Sequence, residues 1–230
     1  MELSAIVPLP VSVAQNPASA FLALAGQAPL ERIVRAMLDA VAGAGRVVVA
    51  AAEPLLADVG AALADSGLAA VAVTAADGSG ERAACLSSGL KYLEQQNFST
   101  THVLIGDIRQ PLVGAELRDR VIAGLSDAVV VPALPVTDSV KAVDESGSVI
   151  ATVDRSTLAA AQYPRGVAAG QLASLLSGRT SEDFDEVEEA VRAGVEITVV
   201  AGDPDGFRAV LPADAPFFEA VIASRQQDRN

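Results

Sequence analysis

The 230-residue chain has no tryptophan, one cysteine and one histidine, and only 3% of it is aromatic. The single cysteine, Cys85, excludes an internal disulfide framework and suits a reducing compartment. It lies in an apolar stretch, which predicts an inert, partly buried thiol. The single histidine, His102, cannot build a histidine metal cluster, and its place before a buried-type strand gives it a structural reading. Positive charge is scarce too: 16 Lys and Arg face 29 Asp and Glu, a formal charge of −13. Such a surface repels phosphate backbones, so no nucleic-acid partner is expected, and any anionic substrate must be met by a local cluster of cations. No segment is long and apolar enough to span a bilayer.

Charge is also missing between Glu2 and Glu31, where Ala18-Ser19-Ala20 mimics a signal-peptidase site. The amino end, however, carries Glu2 instead of a basic cluster, and Pro8, Pro10 and Pro17 interrupt any apolar helix. A buried strand over Ala5–Leu9 followed by an irregular loop accounts for the stretch. A cytoplasmic protein is expected.

What is present is apolar and periodic. Hydrophobic residues make up 51% of the chain, enough for a full core, and they fall in V/I/L/A runs of the kind buried on both faces. A helix is predicted from Pro29, with Leu30, Ile33, Val34, Met37, Leu38 and Val41 on one face and Gly43 as its stop. Arg46–Ala52 reads as a strand, Pro54–Ala64 as a helix and Ala70–Thr74 as a third strand. A small-residue loop over Ala75–Gly80 leads to a helix ending near Leu93. Next come the strand His102–Gly106, the helix Ala115–Gly124 and the strand Ala128–Pro132. After a break at two prolines, Val140–Val143 and Val149–Val153 alternate around a loop with Gly147, as in a β-hairpin arm over about 136–156. Helices at Val167–Leu176 and Glu182–Arg192, a strand at Glu196–Val200, a helix at Asp214–Ser224 and a frayed tail from Arg225 complete the reading. Alternating β and α elements predict an α/β fold with a doubly wound, mostly parallel, Rossmann-like sheet in one domain over 1–230. Ligands of such sheets sit outside the carboxyl ends of the strands, so the loops after Leu9, Thr74, Gly106 and Pro132 line the expected site.

Two motifs flank the arm: Pro135-Val136-Thr137-Asp138-Ser139-Val140-Lys141 and Asp154-Arg155-Ser156-Thr157-Leu158. In order and spacing they resemble the P-V-T-D-T-I/V-K and D-R-S-x-L segments of the 2-C-methyl-D-erythritol 4-phosphate cytidylyltransferases. Gly106-Asp107-Ile108-Arg109-Gln110-Pro111 is similar to the family's H-D-A-A-R-P, with Gln110 at the arginine position and Arg109 one residue early. Gly202 to Asp214 resembles G-D-P-x-N-I-K-x-T-x-P-x-D, with Arg208 for the lysine, a wider and planar donor.

The resemblance implies a role for each matched residue. Asp107 is implied as the metal ligand for Mg²⁺, although from local sequence alone it also suits a turn cap. Arg208 is implied as catalytic, beside the reacting phosphates. Ser139, Arg155, Ser181 and, one place out of register, Arg109 are implied as substrate-binding residues for the sugar phosphate. Gly78, Arg82 and Cys85 match G-G-x-x-R-x-x-S-V and are implied to hold the cytosine nucleotide, with cysteine replacing serine. Tyr163-Pro164-Arg165 stands at the family's T-P-Q, a bulkier group near the substrate. The implied partners are CTP, a sugar or polyol phosphate and a second copy of the chain, joined through the arm as a homodimer.

One segment departs. The family opens with A-A-G-x-G-x-R-M and then P-K before F-L-x-L-x-G. This chain keeps Phe21-Leu22-Ala23-Leu24-Ala25-Gly26, but between Pro8 and Ala20 it has no Gly, Arg or Lys, and Ser19 stands at the lysine position. Nucleotidyl transfer rests on positioning and electrostatic stabilisation. By analogy with oxyanion-site donors, each lost group costs about 2.7–4 kcal/mol of barrier. The expectation is a family member with weakened or lost CTP turnover and a residual binding or regulatory role. The alternative is an active nucleotidyltransferase that holds its triphosphate by other groups.

Overall fold

The computed structural model describes residues 2–96 and 98–227. The elements alternate as the hydrophobic runs predict. In order they are β1 (Leu3–Leu9), two short turns of helix, α1 (Ser12–Gln15) and α2 (Ala18–Phe21), then α3 (Pro29–Leu38), β2 (Val47–Ala51), α4 (Leu56–Asp65), β3 (Ala72–Ala75), α5 (Arg82–Gln95), β4 (His102–Ile105), α6 (Ala115–Ala123) and β5 (Val129–Pro135). The second half holds β6 (Val140–Val143), β7 (Val149–Val153), β8 (Ala159–Ala161), β9 (Arg165–Ala168), α7 (Ala169–Ser177), α8 (Glu186–Ala193), β10 (Ile197–Ala201) and α9 (Ala215–Gln227).

Seven strands run β10-β5-β9-β4-β1-β2-β3, and β8 pairs with β5 as the eighth. The β1–β2, β1–β4, β2–β3 and β5–β10 pairs are parallel, whereas β9 and β8 run antiparallel to their neighbours. Successive residues of β1 and β2 point to opposite sides. Ala5, Val7, Leu9, Val47 and Val49 meet α3 and α4, while Ile6, Val48 and Ala50 meet α5, α7 and α8. The layers approach closely: a Cβ on Gly89 of α5 would sit 2.8 Å from Ile6 Cγ2, so only glycine fits that crossing. A third cluster joins Leu24 and Leu112 to Ala209, Leu211, Phe218 and Ile222, and so anchors the segment before α9.

Two readings are corrected, and one strand was not expected. The stretch after Leu9, expected to be irregular, contains α1 and α2, with Pro10 just ahead of the first and Pro17 at the N-cap of the second. Val167, expected in a helix, lies in β9, whose backbone pairs with both β4 and β5. β8 is an all-alanine strand with no propensity signal, and sheet pairing at Ala133–Pro135 creates it. The predicted hairpin is present: β6 and β7 form their own two-stranded sheet, with Val143, Val149 and Ile150 more than half exposed. The tail expected to fray from Arg225 stays helical to Gln227, and the remainder lies outside the described residues.

The chain leaves β1 toward β2 and β3, then returns to place β4 on the other side of β1. That reversal opens a crevice at the carboxyl ends of β1 and β4. Pro10 and Asp107 stand at its two lips.

Candidate functional site

Two adjoining cavities occupy this crevice. The first, of about 300 Å³, has walls from the α1–α2 segment (Pro10, Ser12, Asn16, Ser19), from the turn after β4, and from Arg208 to Leu211. The second, of about 410 Å³, lies between β8, the turn after β4 and residues 204–208. Asp107, Arg109 and Arg208 line both.

Asp107 is buried, 4% exposed, and its carboxylate is saturated by one neighbour. The Arg109 backbone N–H donates to Oδ1 at 2.8 Å, Nε donates to Oδ1 at 2.9 Å and to Oδ2 at 3.0 Å, and Nη2 donates to Oδ2 at 2.5 Å. Burial alone would raise the carboxyl pKa, but the hydrogen bonds and charge of Arg109 hold it below the usual range. The implied metal ion does not fit this arrangement. Both carboxylate oxygens are taken by the Arg109 guanidinium, so a cation could reach Asp107 only by displacing it.

Gln110, at the family's arginine position, is buried and serves the backbone. Its Oε1 accepts from the Tyr163 N–H at 2.6 Å and its Nε2 donates to the Gly206 carbonyl at 3.0 Å. Gln162 completes a clasp. Its Oε1 accepts from the Asp203 N–H at 2.8 Å, and its Nε2 donates to the carbonyls of Asp203 at 2.8 Å and Gly206 at 3.0 Å. Asn16 Nδ2 donates to the Leu211 carbonyl at 2.8 Å, and the Ala209 N–H donates to the Arg109 carbonyl at 2.6 Å. Residues 202–211 therefore form a strap tied at both ends, with Arg208 exposed at its middle. Among the described residues Arg208 is the one cation of the two cavities without a carboxylate partner.

Behind the crevice lies a buried charged cluster. Arg82 Nη2 meets Glu186 Oε1 and Arg165 Nη1 meets Glu186 Oε2, both at 2.6 Å, and the Tyr163 hydroxyl donates to Oε2 at 3.0 Å. Arg165 also reaches Asp185 at 2.8 Å, and both guanidinium groups lie near the Tyr163 ring, at 4.2 and 5.3 Å from its centroid. Burial, and then the Glu186 charge, push the Tyr163 phenol pKa up. Burial works against the Arg82 charge, yet Glu186 outweighs it and the pKa rises.

Asp107, Arg109, Arg208 and Arg82 thus share one crevice, although Arg82 is held by Glu186. The other implied residues do not line it. Ser139 and Arg155 are exposed at the base of the arm, where Arg155 Nη1 donates to the Thr137 carbonyl. Ser181 is an exposed turn residue accepting from the Asp183 N–H at 3.1 Å. Gly78 is an exposed turn glycine with φ +64°. Cys85 is fully buried in α5, and burial pushes its thiol up to about 12. Cys85 is therefore expected to resist thiol-specific alkylation at pH 8 in the folded protein and to react at once in denaturant. Equal rates in both states would contradict this placement. Sequence reasoning missed Gln110 as a tether, and missed Gln162 and Glu186 altogether. Glu186 sits in an acidic run that reads as a solvated helix face, and no local signal separates it from Glu188.

A family model described as "IspD: 2-C-methyl-D-erythritol 4-phosphate cytidylyltransferase" matches residues 12–224. The 2-C-methyl-D-erythritol 4-phosphate cytidylyltransferase of Rhodococcus opacus is 30% identical over 214 residues, covering 92% of this chain and 90% of that protein. A bifunctional IspD/IspF enzyme of Rhizobium leguminosarum is 37% identical over 134 residues, 55% of this chain but only 32% of that longer protein. Among solved structures, a 4-diphosphocytidyl-2C-methyl-D-erythritol synthase superposes with a TM-score of 0.76 at 24% identity, covering 96% of this chain and 100% of that one. The cytidylyltransferase of Thermus thermophilus gives 0.72 at 24% identity, covering 97% and 100%. With the α/β sheet, the arm and the crevice at the β1–β4 switch point in place, the chain belongs to the 2-C-methyl-D-erythritol 4-phosphate cytidylyltransferase family.

Proposed function

We propose that this family member binds a phosphate-bearing ligand in the crevice but turns over CTP weakly or not at all. One observation carries the reading. Around the first cavity the three cations Arg82, Arg109 and Arg208 are equalled in number by the carboxylates Glu81, Asp107 and Asp183, so the lining residues carry no net charge. A nucleoside triphosphate brings several negative charges, and the segment facing it is made of Pro10, Ser12, Asn16 and Ser19, without a cation. In the second cavity three arginines (Arg109, Arg165 and Arg208) face two carboxylates (Asp107 and Asp185). That one-charge excess suits a monophosphate such as a sugar or polyol phosphate. Asn16, within the altered segment, ties down the strap, which supports a structural use for a loop that has lost its cations. The exposed apolar face of β6–β7 supports assembly into a dimer through the arm.

The test is pyrophosphate release with CTP, Mg²⁺ and 2-C-methyl-D-erythritol 4-phosphate. Turnover at least about a thousandfold below the ordinary enzyme median of roughly 10 s⁻¹ is the expected outcome. A rate in the ordinary range would instead establish the second reading, an active cytidylyltransferase. The unpaired Arg208 at the mouth of both cavities favours that alternative.

A further inference from the structure

Arg109 spends only one edge of its guanidinium on Asp107, through Nε and Nη2. Nη1 has no protein acceptor among the described residues, and the side chain is 41% exposed where the two cavities meet. Five N–H donors in a planar fork allow an arginine to hold a carboxylate on one edge and a phosphate on the other. Arg208 stands across the same opening with no carboxylate of its own. A divalent cation would have to displace this guanidinium to reach Asp107.

We propose that Arg109 takes the place of a divalent cation at Asp107, so that a phosphate-bearing ligand binds between Arg109 and Arg208 without a metal ion. The shift of positive charge by one residue, to Arg109, and the use of Gln110 as a strap tether are two halves of this rearrangement. The inference rests on the reading of the crevice as a phosphate site.

The experiment is calorimetric titration with inorganic phosphate, in EDTA and in magnesium chloride. The wild-type affinity in EDTA is expected to lie within about threefold of that in magnesium. Arg109→Ala lowers the EDTA affinity by about tenfold or more. Asp107→Asn separates the two models by sign. It frees the guanidinium and keeps or tightens metal-free binding, whereas loss of a true metal ligand would weaken binding in magnesium. Should Asp107→Asn fail to fold, Arg109→Lys replaces it: a point charge cannot clasp two groups at once, so metal-free binding falls. Binding by the wild type in magnesium alone overturns the substitution of cation by arginine and leaves the phosphate site standing. Absence of binding in both conditions overturns both.

Discussion

Glu186→Ala is expected to destabilise the folded chain by about 3–5 kcal/mol, the usual consequence of removing one partner from a buried ion pair. Glu186 is fully buried and is the acceptor that Arg82, Arg165 and the Tyr163 hydroxyl share. Without it, the buried Arg82 has no carboxylate partner and Arg165 keeps only the half-buried Asp185. The cluster has no slack, because the Nε atoms of Arg82 and Arg165 are already buried without partners. For a chain of this size the loss corresponds to a fall in melting temperature of roughly 6–20 °C. Glu186→Gln keeps the shape and part of the hydrogen bonding but not the charge, so it falls between. Removing Glu182, which pairs with Arg179 at 2.8 Å on the surface, should change almost nothing. Thermal denaturation of the three variants checks the ranking, and an unchanged melting point for Glu186→Ala would remove the cluster from any structural role.

Gln162→Ala carries the second large effect, and this one reaches the crevice. One buried amide satisfies the Asp203 N–H and the carbonyls of Asp203 and Gly206. Each buried polar group left unmatched costs about 1–3 kcal/mol, so a total near 2–4 kcal/mol is expected after water enters the gap. The fit around the amide is close: a Cβ on Gly202 would overlap Gln162 Oε1 and lie 3.0 Å from the Ala133 carbonyl carbon. Losing the clasp leaves the Gly206 carbonyl to Gln110 and frees the strap beyond the Arg120 contacts at Ala201 and Gly202, and Arg208 loses its fixed position over the cavities. Amide hydrogen exchange should accelerate over residues 203–209 while β1 and β2 stay protected. Gln162→Glu should loosen the strap as much, since a carboxylate would then face two carbonyl oxygens. Unaltered exchange across the strap in both variants would show that Gln162 does not position Arg208.

These two side chains mark the boundary between what sequence reasoning reaches and what it does not. The V/I/L runs of β1, β2, β4 and β5, the helical face of α3 and the alternation in β6 and β7 are local patterns, and the α/β fold and the arm follow from them. Asp107 and Arg208 are legible as well, being charged residues at the end of a strand and in a chain reversal. The alanines of β8 carry no such pattern and become a strand only because β5 lies alongside. Gln162 and Glu186 work across separations of 21 to 104 residues, and nothing near them in the chain announces their partners.

The amino-acid order by itself determined the architecture, the family and the loss of cations from the first loop, since each is written in residue types or in short-range period. Only the tertiary structure decided that Arg109 turns onto Asp107, that Gln110 and Gln162 hold the strap, and that the first cavity has no net charge. Those outcomes depend on which side chains meet at distances of a few ångströms in the crevice, where one neighbour decides whether a carboxylate is free or taken.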